Sequence, residues 1–195
     1  MYQEFQKGWI EVITGPMFAG KSEELIRRIR TLRYARKNII CFKPSIDDRY
    51  SETSIASHAG GRYKAYPIQK PEEMLNYVTE ETDVVAIDEV QFFGESVIPI
   101  IDKFASRGIR VMCAGLDMDF RGEPFGVMPT LLAKAEFVTK LSASCKICGD
   151  AATRTQRIID GKPAYYEDPV VLVGASESYE ARCRKHHECP HKKQK

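Results

Sequence analysis

The chain has 195 residues, 43% of them hydrophobic and 29% charged, with 29 Lys plus Arg against 27 Asp plus Glu. The net charge of +2 excludes the strong basic excess of a general nucleic-acid binder, and the length suffices to bury a core without covalent staples. The first eight residues lack an apolar signal-peptide stretch, and no apolar run approaches the ~20 residues of a membrane span, so a cytoplasmic protein is expected.

In chain order, Trp9 to Thr14 reads as a strand stopped by Gly15. After Gly20 the apolar positions Leu25, Ile29 and Leu32 recur at helical spacing, with Glu23 and Glu24 early and Arg33, Arg36 and Lys37 late. That ordering complements the helix dipole. Asn38 to Lys43 is a second strand. From Asp47 to Gly61 the chain is polar and aperiodic, a long loop of the kind that usually serves function. Pro71 opens a further helix. Val84 to Asp88 is an apolar strand ending in acids, Glu95 to Arg107 a helix kinked or started late by Pro99, Ile109 to Ala114 a strand, and Ala135 to Leu141 another. Alternation of this kind predicts a mostly parallel α/β sheet with helices on both faces.

The pattern changes near Ser144, giving expected units at 1–143 and 144–191 and a basic, disordered tail at 192–195. The second unit carries a strand at Thr153 to Ile159 and a turn at Asp160-Gly161. Four of the six cysteines also fall here. The other two, Cys41 and Cys113, lie in apolar strands and read as buried thiols.

Gly15-Pro16-Met17-Phe18-Ala19-Gly20-Lys21-Ser22 matches G-x-x-x-x-G-K-[ST] in full. The glycines let successive N–H groups turn towards phosphate oxygens, Lys21 reaches the β- and γ-phosphates, and the Ser22 hydroxyl suits Mg²⁺. Four fixed positions coincide by chance in roughly one per cent of chains this long, given ordinary glycine usage, and this match lies between a predicted strand and a predicted helix. Asp88, ending another buried strand, is the expected second Mg²⁺ partner. Glu89 follows it and could accept a proton from a nucleophile, or be a solvated acid. Water and a substrate hydroxyl remain equal choices for that nucleophile.

Cys145-x-x-Cys148 and Cys183-x-x-His186 are two chelating pairs whose thiolate and imidazole donors suit structural Zn²⁺. His187, Cys189 and His191 crowd the second pair as rivals for His186. The metal would tie both ends of the 149–182 segment.

Together these residues resemble the thymidine kinase family of the zinc-containing, P-loop type. The resemblance runs from Gly15 to His186. It rests on residues 15–22, on Lys-Pro-Ser-Ile-Asp-Asp-Arg-Tyr at 43–50 and on Asp-Glu-Val-Gln-Phe-Phe at 88–93. Also matching are residues 115–126, both Cys/His pairs, and Val-Gly-Ala-Ser-Glu-Ser-Tyr-Glu at 173–180. The resemblance implies a RecA-like P-loop fold with a zinc-ribbon-like lasso. It also implies transfer of phosphate from ATP to the 5′-hydroxyl of thymidine.

On that footing Glu89 is the general base, Lys21, Ser22, Asp47 and Asp88 serve ATP and Mg²⁺, and Arg49 neutralises charge near the transferred group. Met17, Phe92, Leu116, Phe120 and Phe125 would wall the nucleoside, with Thr155, Val173, Gly174 and Tyr179 on or near the lasso. Read without the resemblance, Phe92, Phe120 and Phe125 are core aromatics. The resemblance further implies feedback by thymidine triphosphate and a homotetramer. Some members carry Cys where this chain has His186.

Two other classes compete. A zinc-bearing P-loop ATPase acting as a nucleic-acid switch would use the same Asp88-Glu89 pair to activate water. A non-enzymatic module would have a vestigial P-loop. The arginines of the first helix read as a solvated face, His58 as a surface residue, and the terminal lysines as a charged end.

Overall fold

Segments whose side chains are apolar on both sides of the backbone must be covered on both faces, and three strands of this chain are of that kind. The computed structural model describes residues 8–45, 54–56, 62–171 and 177–192. Its main sheet has β1 (Trp9–Thr14), β2 (Ile39–Pro44), β5 (Tyr66–Ile68), β6 (Val84–Ile87), β7 (Arg110–Gly115) and β8 (Phe137–Lys140). They lie in the order β5-β2-β6-β7-β1-β8, and every neighbouring pair is parallel.

Alternate residues serve opposite faces. Val12, Val85, Ile87, Val111 and Cys113 pack with Ile101 and Phe104 of α2 (Val97–Ser106) and with Met128 and Leu131 of α3 (Met128–Lys134). Ile13, Val84, Ala86, Met112 and Ala114 pack under Leu25, Ile26 and Ile29 of α1 (Lys21–Tyr34). Cys41 and Cys113 are buried, and the apolar surroundings push both thiols well above their usual range.

Departures from expectation have local causes. Pro71–Asn76 is a 3-10 helix, not an α-helix. Its buried residues, Pro71 and Met74, are three apart, so a three-residue period points both inward. Glu73 closes its start by accepting from the Lys70 N–H at 2.8 Å. Pro99 causes no kink, because α2 begins at Val97 and leaves proline in the first turn, where no N–H is needed. Within the long polar stretch lies β3 (Ser54–Ala56), which pairs antiparallel with β4 (Arg62–Lys64) just after it. His58 lies outside the described residues.

Arg27, Arg30 and Arg33 on α1 and Arg36 just beyond it are exposed, whereas Arg28 turns inward to buried Glu11 at 2.9 Å. Glu24 accepts from Arg27 at 2.6 Å and Arg28 at 2.8 Å, and the Arg27 hydrogen bond leads in holding its carboxyl down to about 2. A depressed folded-state value adds stability above the ordinary carboxylate range and loses it as pH falls through that range towards 2. Glu24→Gln should therefore destabilise the protein at pH 7, with the gap to wild type closing below pH ~4.5. Urea midpoints across pH 3–7 measure this, and a gap independent of pH would refute it.

The smaller unit is built from short antiparallel pieces. β9 (Ala143–Ser144) pairs with β10 (Ala151–Ala152), while β11 (Arg154–Ile159) lies between β12 (Lys162–Pro163) and β13 (Glu177–Arg182). The turn joining β11 and β12 uses Asp160 and Gly161 at φ 49° and 75°, the left-handed pair that a tight hairpin needs. Among the described residues, the buried apolar side chains of this unit are Cys145 and three alanines, Ala152, Ala164 and Ala181. So small a core needs another source of stability.

Candidate active site

A parallel sheet opens a crevice where consecutive connections leave in opposite directions. Here α1 carries the chain from β1 across to β2, past β7 and β6, while β8 lies on the other side of β1. The turn after β1 sits at that point. Gly15 has φ 139°, and a Cβ there would lie 3.1 Å from the Leu141 carbonyl carbon, so only glycine permits the approach. Gly20, at φ 80°, caps α1, and Lys21 folds back to give a hydrogen bond to the Pro16 carbonyl at 2.8 Å.

Asp88 follows β6 and is 7% exposed. It accepts from the Ser22 hydroxyl at 3.1 Å and from the Glu89 N–H at 3.1 Å. Burial and then the neighbouring Glu89 charge push its carboxyl up, against the pull of Ser22 and Lys21. Burial likewise lowers the Lys21 ammonium, opposed by Glu89 and Asp88. A cation beside Asp88 would favour its ionised carboxylate, and an anionic phosphate beside Lys21 would favour the charged ammonium. Glu89 itself has φ 52°, a left-handed backbone unusual for a non-glycine residue and of a kind that clusters at functional sites.

These groups border a cavity of about 580 Å³. Lys21, Ser22 and Glu89 form one side; Met17, Phe92, Leu116, Phe120, Phe125, Thr155 and Tyr179 line much of the remainder. Phe92 and Phe125 meet edge to face at 5.5 Å, and Arg157 covers Phe120 at 5.1 Å. Gly15, Pro16 and Ala19 shape the turn without lining the cavity, and Asp88 reaches it through Ser22. Asp47, Arg49, Val173 and Gly174 lie outside the described residues.

Some neighbours carried no signal in the residue order. Met118, Val170 and Val171 also line the cavity, beside Phe18 of the expected phosphate turn. Asp119 does too, and it accepts from the N–H groups of Arg121 at 2.8 Å and Glu123 at 3.2 Å. That cap shapes the loop bearing Phe120 and Phe125; the Asp-x-x-Gly spelling of residues 119–122 was the available clue. Thr155 of β11 accepts from the Met17 N–H at 3.0 Å, which ties the small unit to the phosphate turn.

Where β11 begins and β13 ends, one donor atom from each of Cys145, Cys148, Cys183 and His186 lies within 4.8 Å of the others. Cys148 and Cys183 sulfurs are 3.8 Å apart, and the His186 Nδ1 is 3.3 Å from Cys183 and 3.7 Å from Cys145. Tetrahedral Zn²⁺ with bonds of ~2.3 Å to sulfur has edges of about 3.8 Å, so the cluster fits a metal of that size. His187 is engaged elsewhere, with Nε2 2.8 Å from the Phe120 carbonyl. The ring nitrogen facing a carbonyl must carry the proton, so His187 braces the cavity wall.

The family model described as thymidine kinase matches residues 8–187. The chain belongs to the thymidine kinase family. Membership makes it an enzyme, a phosphotransferase acting on a nucleoside or nucleotide. The parallel sheet, its flanking helices and the small ribbon-like Cys/His unit agree with that family's architecture. Among the described residues no helix is long and apolar enough to cross a membrane.

Proposed function

We propose that the enzyme transfers the γ-phosphoryl group of ATP to the 5′-hydroxyl of thymidine, with Glu89 as general base. One observation carries this reading. A single cavity joins the phosphate turn, through Lys21 and Ser22, to an apolar wall of Met17, Phe92, Leu116 and Phe125, with Glu89 at the junction. An acid at such a junction is within the region where a hydroxyl held by the wall would meet a phosphate held by the turn.

In this scheme the N–H groups of the turn and Lys21 hold the phosphates, and the wall excludes water from the reacting oxygen. Ser22 and Asp88 would hold Mg²⁺, which supplies charge neutralisation on the β- and γ-phosphate oxygens when bound. Asp47 and Arg49 are assigned to the same phosphate chemistry through the resemblance of residues 43–50. Zn²⁺ on Cys145, Cys148, Cys183 and His186 is structural, because four protein donors leave no open position. Thr155, Val173, Gly174 and Tyr179 contribute the lasso side of the nucleoside site.

Thymidine triphosphate carries the same base and phosphates on one molecule and is the proposed feedback inhibitor. The exposed Phe137 and Val138 on edge strand β8 are compatible with burial in a homotetramer. The rival reading, an ATPase that activates water, leaves the apolar wall without a purpose.

A nucleoside panel tests the proposal. ADP release from ATP–Mg²⁺ is expected with thymidine and not without a nucleoside. Equal release in the absence of any nucleoside would overturn it.

A further inference from the structure

Gln91 is 3% exposed and lines no part of the cavity, yet its side-chain amide spans two groups that do. The Leu116 N–H donates to Gln91 Oε1 at 3.1 Å. A backbone N–H can only donate, so the atom facing it is the oxygen, and the orientation of the amide is fixed. The NH₂ group must then face the other way, where Gln91 Nε2 donates to Glu89 Oε2.

The surroundings leave the amide little freedom. A Cβ at Gly115 would fall 2.5 Å from Gln91 Oε1, and a Cβ at Gly126 would press on the Gln91 backbone. Glycine at both places lets the end of β7 and the following loop close on this side chain. Gln91 sits in the short 3-10 turn Val90–Phe92, immediately after the left-handed Glu89. The backbone therefore aims Glu89, and the amide holds what the backbone has aimed.

We propose that Gln91 is a positioning residue that holds the Glu89 carboxylate by one oxygen and leaves the other, Oε1, to take the proton of the attacking hydroxyl. This inference rests on the assignment of Glu89 as base. An amide that donates one N–H and accepts another is suited to the role, because it is neutral and cannot compete for the proton. The same side chain couples the base to Leu116 of the nucleoside wall, so base and substrate keep a common reference.

Two substitutions separate the halves of the amide. Gln91→Glu keeps an acceptor for Leu116 but loses the donor to Glu89; Gln91→Met loses both. Each is expected to lower kcat by roughly ten- to a hundredfold. KM for ATP should stay within about twofold of wild type for both, and KM for thymidine likewise for Gln91→Glu. In a Glu89→Gln background, Gln91→Met should cost no further kcat, since there is no base left to position.

Zinc content and thermal midpoint are measured alongside, and Gln91→Glu decides the matter if Gln91→Met does not fold. Unchanged kcat in Gln91→Glu, or a further loss in the double variant equal to that in the single one, would overturn the proposal. A rise in thymidine KM alone in Gln91→Met would also overturn it, reducing Gln91 to an anchor for Leu116. If Glu89→Gln loses activity and the Gln91 variants do not, only this inference fails. If Glu89→Gln keeps full kcat, the base assignment fails with it.

Discussion

Glu89→Gln is expected to lower kcat by about 10²–10⁴-fold, the range a general base contributes, while ATP binding changes little. The amide fills the same space but cannot take a proton, and the phosphate turn of Gly15 to Ser22 is built from other residues. The backbone argues for the same role: holding a non-glycine residue at φ 52° costs on the order of 1 kcal/mol or more, which a merely solvated acid would not need. Steady-state turnover beside equilibrium binding of an ATP analogue makes the comparison. A variant with near-normal turnover would return Glu89 to a structural acid.

Cys183→Ala should have the second large effect, on nucleoside binding instead of on chemistry. Among the described residues the small unit buries only Cys145 and three alanines as apolar side chains, so a metal on its Cys/His cluster, worth ~10–16 kcal/mol in comparable small sites, would supply most of its folding free energy. Cys183 directly follows β13, which pairs along its length with β11, and β11 carries Thr155 to the Met17 N–H. Loss of the metal would release that bond, the His187 brace on Phe120 and the Tyr179 side of the cavity together. We expect loss of the bound zinc and a thymidine KM raised by at least about tenfold, because a preformed loop must now be ordered on binding. Affinity for ATP should stay within a few-fold. Retention of both zinc and KM would show that the remaining donors suffice.

Much of this was written in short-range order. The phosphate turn needs glycines at fixed places between a strand and a helix, and all of that lies within fourteen residues of Trp9. The chelating pairs are equally local, since Cys-x-x-Cys and Cys-x-x-His each hold one edge of a tetrahedron. The parallel sheet followed from apolar strands alternating with amphipathic helices.

Harder cases turned on partners distant in sequence. Pro71–Asn76 looked like the start of a helix because proline and two acids mark a first turn; only the packing of Pro71 and Met74 selected the tighter coil. Phe92, Phe120 and Phe125 have the composition of core residues, and composition does not distinguish an aromatic facing a core from one facing a cavity. The choice between His186 and His187 was also closed to spacing, because either can reach a metal from Cys183. The folded chain gathers His186 with the three cysteines and turns His187 to the Phe120 carbonyl 67 residues away.

The sequence by itself determined the chemistry the protein carries: a phosphate cradle, acids at a strand end, and a four-donor metal cluster. These depend on backbone geometry and donor type within a few residues, which local order specifies. The tertiary structure alone decided which groups work together. Ser22 meets Asp88 across 66 positions and Thr155 meets Met17 across 138, while Leu116 reaches back 25 to orient Gln91 beneath Glu89. Such contacts arise from the order of strands in the sheet and the closeness two glycines allow, and no local spacing encodes them.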